Sequence, residues 1–308
     1  MLFDLLLVVG GLIALLLGGE GLVRGAVSVA QKAGLPPFVI GLTLVGFGTS
    51  APELMTSLVA ALNGLPGIAL GNVIGSNIAN ILLILGVSAV LVPVSGGAIL
   101  GRDGWVMLGA SALALAFILS GSVGFVAGLI SVVALVAYLG WTLMSGGDDD
   151  AGDEMPTDPV WLALVYFAGG LLGVVLGAGW LVEGASNVAR DLGVSDAVIG
   201  LTIVAIGTSL PELVTSVMAA RKGAAEIAVG NVIGSNIFNL LGILGIPAMV
   251  TPLAVPADIL GLTLWVFVAA TLAPLLIVKL GGGIGRRAGA ALLAGYLAYT
   301  LVLVVGAL

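Results

Sequence analysis

The sequence contains no cysteine and no histidine. Those two absences exclude thiol catalysis, disulfide staples, Ser-His-Asp and Cys-His chemistry, and zinc sites of the His/Cys type. Charge is scarce as well: 8% of the 308 residues are Asp, Glu, Lys or Arg. The nine basic residues are scattered, which leaves no footprint for nucleic acid. No cofactor or nucleotide motif is present, so no cofactor is expected and any work done must draw on ion gradients. A bound metal would have to be held through oxygen, which suits hard cations such as sodium, calcium and magnesium.

What remains is apolar. Hydrophobic residues make up 60% of the chain, the mean hydropathy is +1.29, and there are 49 glycines. No soluble domain of this size hides so much apolar surface, so the class is polytopic membrane protein. Abundant glycine suits closely packed transmembrane helices. A span needs about 20 apolar residues. Cutting at polar and Gly/Pro clusters predicts ten segments: roughly 2–30, 37–62, 68–93, 103–120, 122–145, 159–188, 196–221, 227–251, 258–280 and 287–307. The first and sixth are long enough to tilt strongly. The opening run, MLFDLLLVV, lacks a basic n-region and reads as a retained span.

One linker, residues 145–158, divides the chain into 1–144 and 159–308. It holds Asp148, Asp149, Asp150, Asp153, Glu154 and Asp158, and reads as a solvated, flexible connection. Five segments lie on each side of it. Five is odd, so two copies of one fold would enter the membrane from opposite faces. The basic residues agree: Arg24, Lys32, Arg102, Arg221, Lys222, Lys279, Arg286 and Arg287 fall at one face, and Arg190 alone at the other. The positive-inside rule then predicts both termini outside and the linker in the cytoplasm of a plasma (inner) membrane protein. Inverted repeats with a site at their interface recur in secondary transporters.

The two halves share one stretch. Residues 41–86 read GLTLVGFGTSAPELMTSLVAALNGLPGIALGNVIGSNIANILLILG, and residues 200–245 read GLTIVAIGTSLPELVTSVMAARKGAAEIAVGNVIGSNIFNLLGILG. The offset is constant at 159 (202 − 43), and 30 of 46 positions are identical without a gap. The identities gather at polar residues, where drift in an apolar chain would strike first. Each copy keeps one carboxylate, Glu53 or Glu212. An ionisable group inside a membrane is expensive and is read as functional by default.

In the first motif, Pro52 has no N–H and crowds the carbonyl one turn back, while Gly46 and Gly48 loosen the backbone. A helix break around 46–51 is predicted, with carbonyls near Gly46, Phe47 and Gly48 free to meet a cation. Thr49 and Ser50 precede Glu53 by four and three residues, so hydroxyls and carboxylate converge if the helix resumes there. The second copy repeats this with Ala205, Gly207, Thr208, Ser209, Pro211 and Glu212. In the second motif, Asn72, Ser76 and Asn80 follow one another every four residues along one helical stripe, as do Asn231, Ser235 and Asn239. The pairs Gly71/Gly75 and Gly230/Gly234 permit close backbone approach. Asn77 and Asn236 fall off the stripe. Two carboxylates carry a charge that one Ca²⁺, two Na⁺ or two protons would balance.

At these residues the chain resembles the cation/calcium antiporter superfamily, in particular its small prokaryotic sodium/calcium exchangers. GTSAPEL with GNVIGSNIAN, and GTSLPEL with GNVIGSNIFN, match that family's two α-repeats. The resemblance implies an all-α integral membrane fold of ten transmembrane helices, two inverted five-helix repeats with broken helices at the midplane. It implies ion binding by Thr49, Ser50, Glu53, Ser76 and Asn80 with Thr208, Ser209, Glu212, Ser235 and Asn239, joined by the carbonyls of Gly46 and Ala205. Some members carry Asp where this chain has Asn239, so a third carboxylate is missing here. The large regulatory domain of animal exchangers has no room in so short a linker.

The expected function is therefore a secondary antiporter exchanging Ca²⁺ for Na⁺, working as a monomer in the lipid bilayer. The same two glutamates leave Ca²⁺/H⁺ or Na⁺/H⁺ exchange open. An intramembrane enzyme would need a His-containing or Asp-Asp pair, and no enzymatic activity is expected. A selective channel would more usually repeat identical subunits around a pore.

Overall fold

The computed structural model describes residues 1–34, 37–144, 158–192, 205–257 and 259–307. The linker up to residue 157 and the start of the seventh expected segment lie outside the described residues. Among the described residues, eight helices are long and apolar enough to cross a membrane. They fall within a few residues of the predicted segments. The other two expected segments differ: residues 37–62 form a series of short helices, and the seventh is described only from Ala205.

Helix ends follow local chemistry. Ala51–Leu62 and Leu210–Arg221 both stop at a left-handed glycine, Gly64 (φ 71°) and Gly223 (φ 78°). That conformation lets the next N–H turn back onto the last helical turn. Leu65 N–H donates to the Ala60 carbonyl and Ala224 N–H to the Ala219 carbonyl, both at 2.9 Å.

Burial sorts the spans into a centre and a rim. Pro66–Leu91 and Ala225–Val250 lie at the centre, with 78% and 100% of their apolar windows buried. The 32-residue helices Leu2–Ala33 and Val160–Asp191 lie at the rim, at 22% each. Their outer faces carry exposed Leu, Phe and Trp side chains such as Phe3, Leu17 and Trp161, as lipid-facing surface should.

The two rim helices pack on each other through glycine. Gly11, Gly18 and Gly25 recur every seven residues on one, and Gly170, Gly177 and Gly184 on the other. A Cβ on Gly11 would sit 2.7 Å from the Gly177 carbonyl oxygen, and one on Gly18 would sit 2.7 Å from the Val174 nitrogen. Without hydrophobic drive between helices in lipid, such close approach supplies the dispersion contacts that hold them. Polar contacts close both ends. Arg24 grips Asp158 through Nε and Nη2 at 2.7 and 2.8 Å, and Asn187 donates to Asp4 at 2.9 Å. The guanidinium hydrogen bonds hold the Asp158 carboxyl below its ordinary pKa.

Two short strand pairs tie loops from different halves of the chain. Val94–Ser95 pairs antiparallel with Gly283–Ile284, and Ser122–Val123 with Leu253–Ala254.

Candidate ion-binding site

The break in the first motif is narrower than the sequence predicts. Residues Gly41–Val45 form a π-helical stretch, Gly46–Thr49 return to α, and Ser50 alone leaves helical geometry (φ −85°, ψ 5°). The Gly46 carbonyl stays in the ladder, accepting from Ser50 N–H at 3.1 Å. The helix can survive this far because Pro52 removes just one donor, the one that would have met Gly48. The second copy repeats the break at Ser209 (φ −92°, ψ 5°).

Each break opens a new helix with its glutamate in the first turn: Glu53 in Ala51–Leu62 and Glu212 in Leu210–Arg221. Backbone N–H groups there favour negative charge. Ser50 and Ser209 occupy the N-cap positions, yet neither hydroxyl caps its own helix. Ser50 Oγ instead donates to Glu212 Oε1 at 2.8 Å, joining the two copies. Ser209 Oγ has no partner.

Glu53 and Glu212 are each 1% exposed, deep inside the protein, and lie within coulombic reach of one another. Other predicted residues gather around them. Ser235 Oγ donates to the Gly46 carbonyl at 3.4 Å, and Thr49 Oγ1 donates to the Val45 carbonyl at 3.0 Å and reaches Asn231 Oδ1 at 3.3 Å. This contact needs glycine: a Cβ on Gly234 would collide with the Leu42 carbonyl, and one on Gly46 would lie 3.2 Å from the Ser235 nitrogen. Ser76, Asn80 and Asn239 are buried, on Pro66–Ile78 and at the starts of the π stretches Ala79–Leu85 and Asn239–Ile243. The first stretch contacts the Glu212 helix and the second contacts the Glu53 helix. Thr208 is half-buried on the short helix Ala205–Thr208, which contacts the Ser76 helix.

The sequence does not indicate the π-helical turns. They begin next to Asn80 and at Asn239, and such turns are frequent at functional sites. Nor does it settle the use of Asn72 and Asn231, which brace the carboxylate helices from the same half. Asn72 Nδ2 donates to the Glu53 carbonyl (3.0 Å) and Ser57 Oγ (2.9 Å). Asn231 Nδ2 does the same with the Glu212 carbonyl (3.3 Å) and Ser216 Oγ (2.9 Å). The repetition itself was the signal: identical partners recur 159 positions apart (231 − 72, 212 − 53, 216 − 57).

Buried polar atoms are normally paired. Here Glu53 Oε2, Glu212 Oε2, Asn80 Oδ1, Asn239 Oδ1 and Ser209 Oγ are all buried without partners. Two carboxylates this deep cost several kcal/mol each to keep charged without a counter-ion. Among the described residues no cluster of three or more His, Cys, Asp or Glu exists. A cation here would therefore meet two carboxylates and otherwise neutral oxygens, a donor set for a hard ion.

Known proteins match the chain along nearly its whole length. The sodium/calcium exchanger protein family matches residues 3–145 and again 162–305. The sodium/calcium exchanger MaX1 of Methanosarcina acetivorans is 35% identical over 344 residues, covering 97% of this chain and 98% of that protein. Inner membrane protein YrbG of Escherichia coli is 36% identical over 266 residues, covering 82% and 81%. The solved sodium/calcium exchanger from Methanococcus jannaschii superposes with a TM-score of 0.86 at 35% identity, covering 97% and 98% of the two chains. A doubled motif, two buried carboxylates and full-length likeness in sequence and fold converge: this multi-pass membrane protein belongs to the sodium/calcium exchanger family of cation/Ca²⁺ antiporters.

Proposed function

We propose that the protein exchanges Ca²⁺ for Na⁺ by alternating access around one cage centred on Glu53 and Glu212. In this reading the chain is two inverted five-helix halves, 1–144 and 159–308, making ten spans when the broken segments 37–62 and 196–221 are counted. Thr49, Ser50, Ser76 and Asn80, their counterparts Thr208, Ser209, Ser235 and Asn239, and the carbonyls of Gly46 and Ala205 supply neutral oxygens around the ions. The carrying observation is the Ser50–Glu212 hydrogen bond, which brings an acid of one half to a hydroxyl of the other. Two buried acids fit exchange on physical grounds. One Ca²⁺ or two Na⁺ cancel their charge, and the doubly charged empty cage is the costly state.

The orientation, with both termini outside, is supported by how basic loops meet. Strand pairing joins the loop before Arg102 to the loop before Arg286, and Lys222 reaches Glu20 at 3.3 Å, near Arg24. Those residues carry the same predicted inside face.

Uptake of ⁴⁵Ca into sodium-loaded vesicles at clamped pH tests the reading. Glu53→Gln and Glu212→Gln should each abolish uptake in protein that still elutes as one folded species. Full uptake by either variant would overturn the assignment. Uptake driven by a pH gradient without sodium, and none by sodium, would replace Na⁺ with H⁺ as the coupling ion.

A further inference from the structure

Phe47 and Phe238 stack beside the cage, with ring centroids 4.0 Å apart and planes tilted by 37°. Phe47 lies between Gly46 and Thr49 in sequence, and Phe238 directly precedes Asn239. Each ring is thus carried by backbone that also carries a cage residue. The pair joins the broken helix of the first half to the central helix of the second. Its ring space is built for it. A Cβ on Gly242 would lie 2.7 Å from Phe238 Cε2, and Leu135 closes the same spot.

The counterpart positions do not repeat this. Adding 159 to Phe47 gives Ile206, and subtracting it from Phe238 and Gly242 gives Ala79 and Leu83. One half therefore carries Phe with Gly beneath it, the other Ala with Leu. The swap roughly conserves volume, so both regions fill, but only one places a ring against a ring. In inverted halves these two regions face opposite sides of the membrane.

We propose that the Phe47–Phe238 pair is a positioning element of the exchanger that seals one access path to the cage more tightly than Ala79 and Ile206 seal the other. The inference rests on the cage being the transport site. Stacked rings attract one another beyond their burial, and the aliphatic counterpart lacks that gain. The two faces should then open at unequal rates.

The chain has no cysteine, so a single introduced thiol reports cleanly. Ser50→Cys, in vesicles of each orientation, is reacted with a membrane-impermeant thiol reagent with and without Ca²⁺. Phe238→Ala should raise its labelling rate at least tenfold from the face beyond Phe47 and leave the other face unchanged. Phe47→Ile, which installs the counterpart residue, should do the same more mildly and guards against misfolding of the alanine variant. Ala79→Phe with Leu83→Gly should slow labelling from the opposite face. Equal changes from both faces, or none, in folded protein would overturn the proposal. The cage is read separately by ⁴⁵Ca uptake in Glu53→Gln and Glu212→Gln: full uptake there alongside a one-sided Phe238→Ala effect would sink the ion-site reading and leave the barrier standing.

Discussion

The two motif copies are nearly one sequence in two different surroundings. The second half-helix of copy two, Leu210–Arg221, is covered: Val214 is half-buried and Thr215 fully buried. A Cβ on Gly19 of the first rim helix would lie 2.7 Å from Val214 Cγ1. The matching half-helix of copy one, Ala51–Leu62, is open. Met55, the counterpart of Val214 (214 − 159), is 57% exposed, and Thr56 is exposed where Thr215 is not. The cage repeats the contrast, with Ser50 bonded to Glu212 and Ser209 unbonded. Sequence symmetry with structural asymmetry is what an alternating transporter requires: the same parts exchange environments when the other face opens. Copy one's carboxylate helix is uncovered and copy two's is covered, as the proposed alternating access would have it.

The strongest way to break this comparison is at the close contact between the two halves beside the carboxylates. Gly234→Ala would drive a methyl into the Leu42 carbonyl. Overpacking of this kind costs about 1–3 kcal/mol, and backbone cannot rotate aside as a side chain does. We expect a lowered melting temperature in detergent and no ⁴⁵Ca exchange. Wild-type melting and exchange would mean that the two halves do not meet as tightly as described.

Next in size is the serine pair. Ser50→Ala removes a hydrogen bond to a carboxylate, a class worth about 1.5–3 kcal/mol, while Ser209→Ala removes none in this state. Ser50→Ala should therefore destabilise the ion-free protein and Ser209→Ala should not, read as melting temperature. Transport should not follow that split. If the copies exchange roles each cycle, Ser209 bonds Glu53 in the opposite state, and both variants should slow exchange comparably. Slow exchange for Ser50→Ala alone would argue that the second state is not a mirror of the first.

Much of this was legible beforehand, for identifiable reasons. Burying a carboxylate is so costly that Glu53 and Glu212 stood out of an apolar chain, and the duplication located their neighbours. The long spans followed from length and hydropathy. The π-helical turns did not, because ANILLIL and NLLGI serve an α or a π turn equally well. The break was expected to be wider because glycine and proline report what the backbone can do, not what neighbouring helices hold in place. Here Ser235 and Gly234 brace the Gly46 turn. The glycine seam of the rim helices lay hidden among 49 glycines, since a seven-residue recurrence gains meaning only against a partner. The Phe47–Phe238 pair was hidden too, because each ring sits at a position where the two copies differ, Ile206 standing opposite Phe47 and Ala79 opposite Phe238.

A labelling comparison of Met55→Cys with Val214→Cys sharpens the open/closed contrast directly. On the proposal that the uncovered face of Ala51–Leu62 lines a water path, Met55→Cys should react with a soluble thiol reagent much faster than Val214→Cys. An ion condition that favours the opposite state should narrow or reverse the ratio. A ratio fixed across sodium and calcium would mean that the asymmetry belongs to the fold and not to the transport cycle.

The smallest expected effect concerns the Arg24–Asp158 clamp, which touches neither copy of the motif. Its Asp158 carboxyl sits below the ordinary value because Arg24 donates two hydrogen bonds to it. The sign follows from linkage: the clamp contributes fully above the unfolded carboxylate value and is lost as pH falls through the depressed one. Stability should thus be flat from neutral into weakly acidic solution as far as this pair is concerned, and fall only in strong acid. Asp158→Asn should lower the melting temperature slightly at neutral pH and remove that acid dependence. Exposed pairs contribute little, and both rim helices remain held by their glycine seam. A large loss of exchange in Asp158→Asn would therefore show that the end of the rim pair, not the seam, sets its geometry against the carboxylate helices.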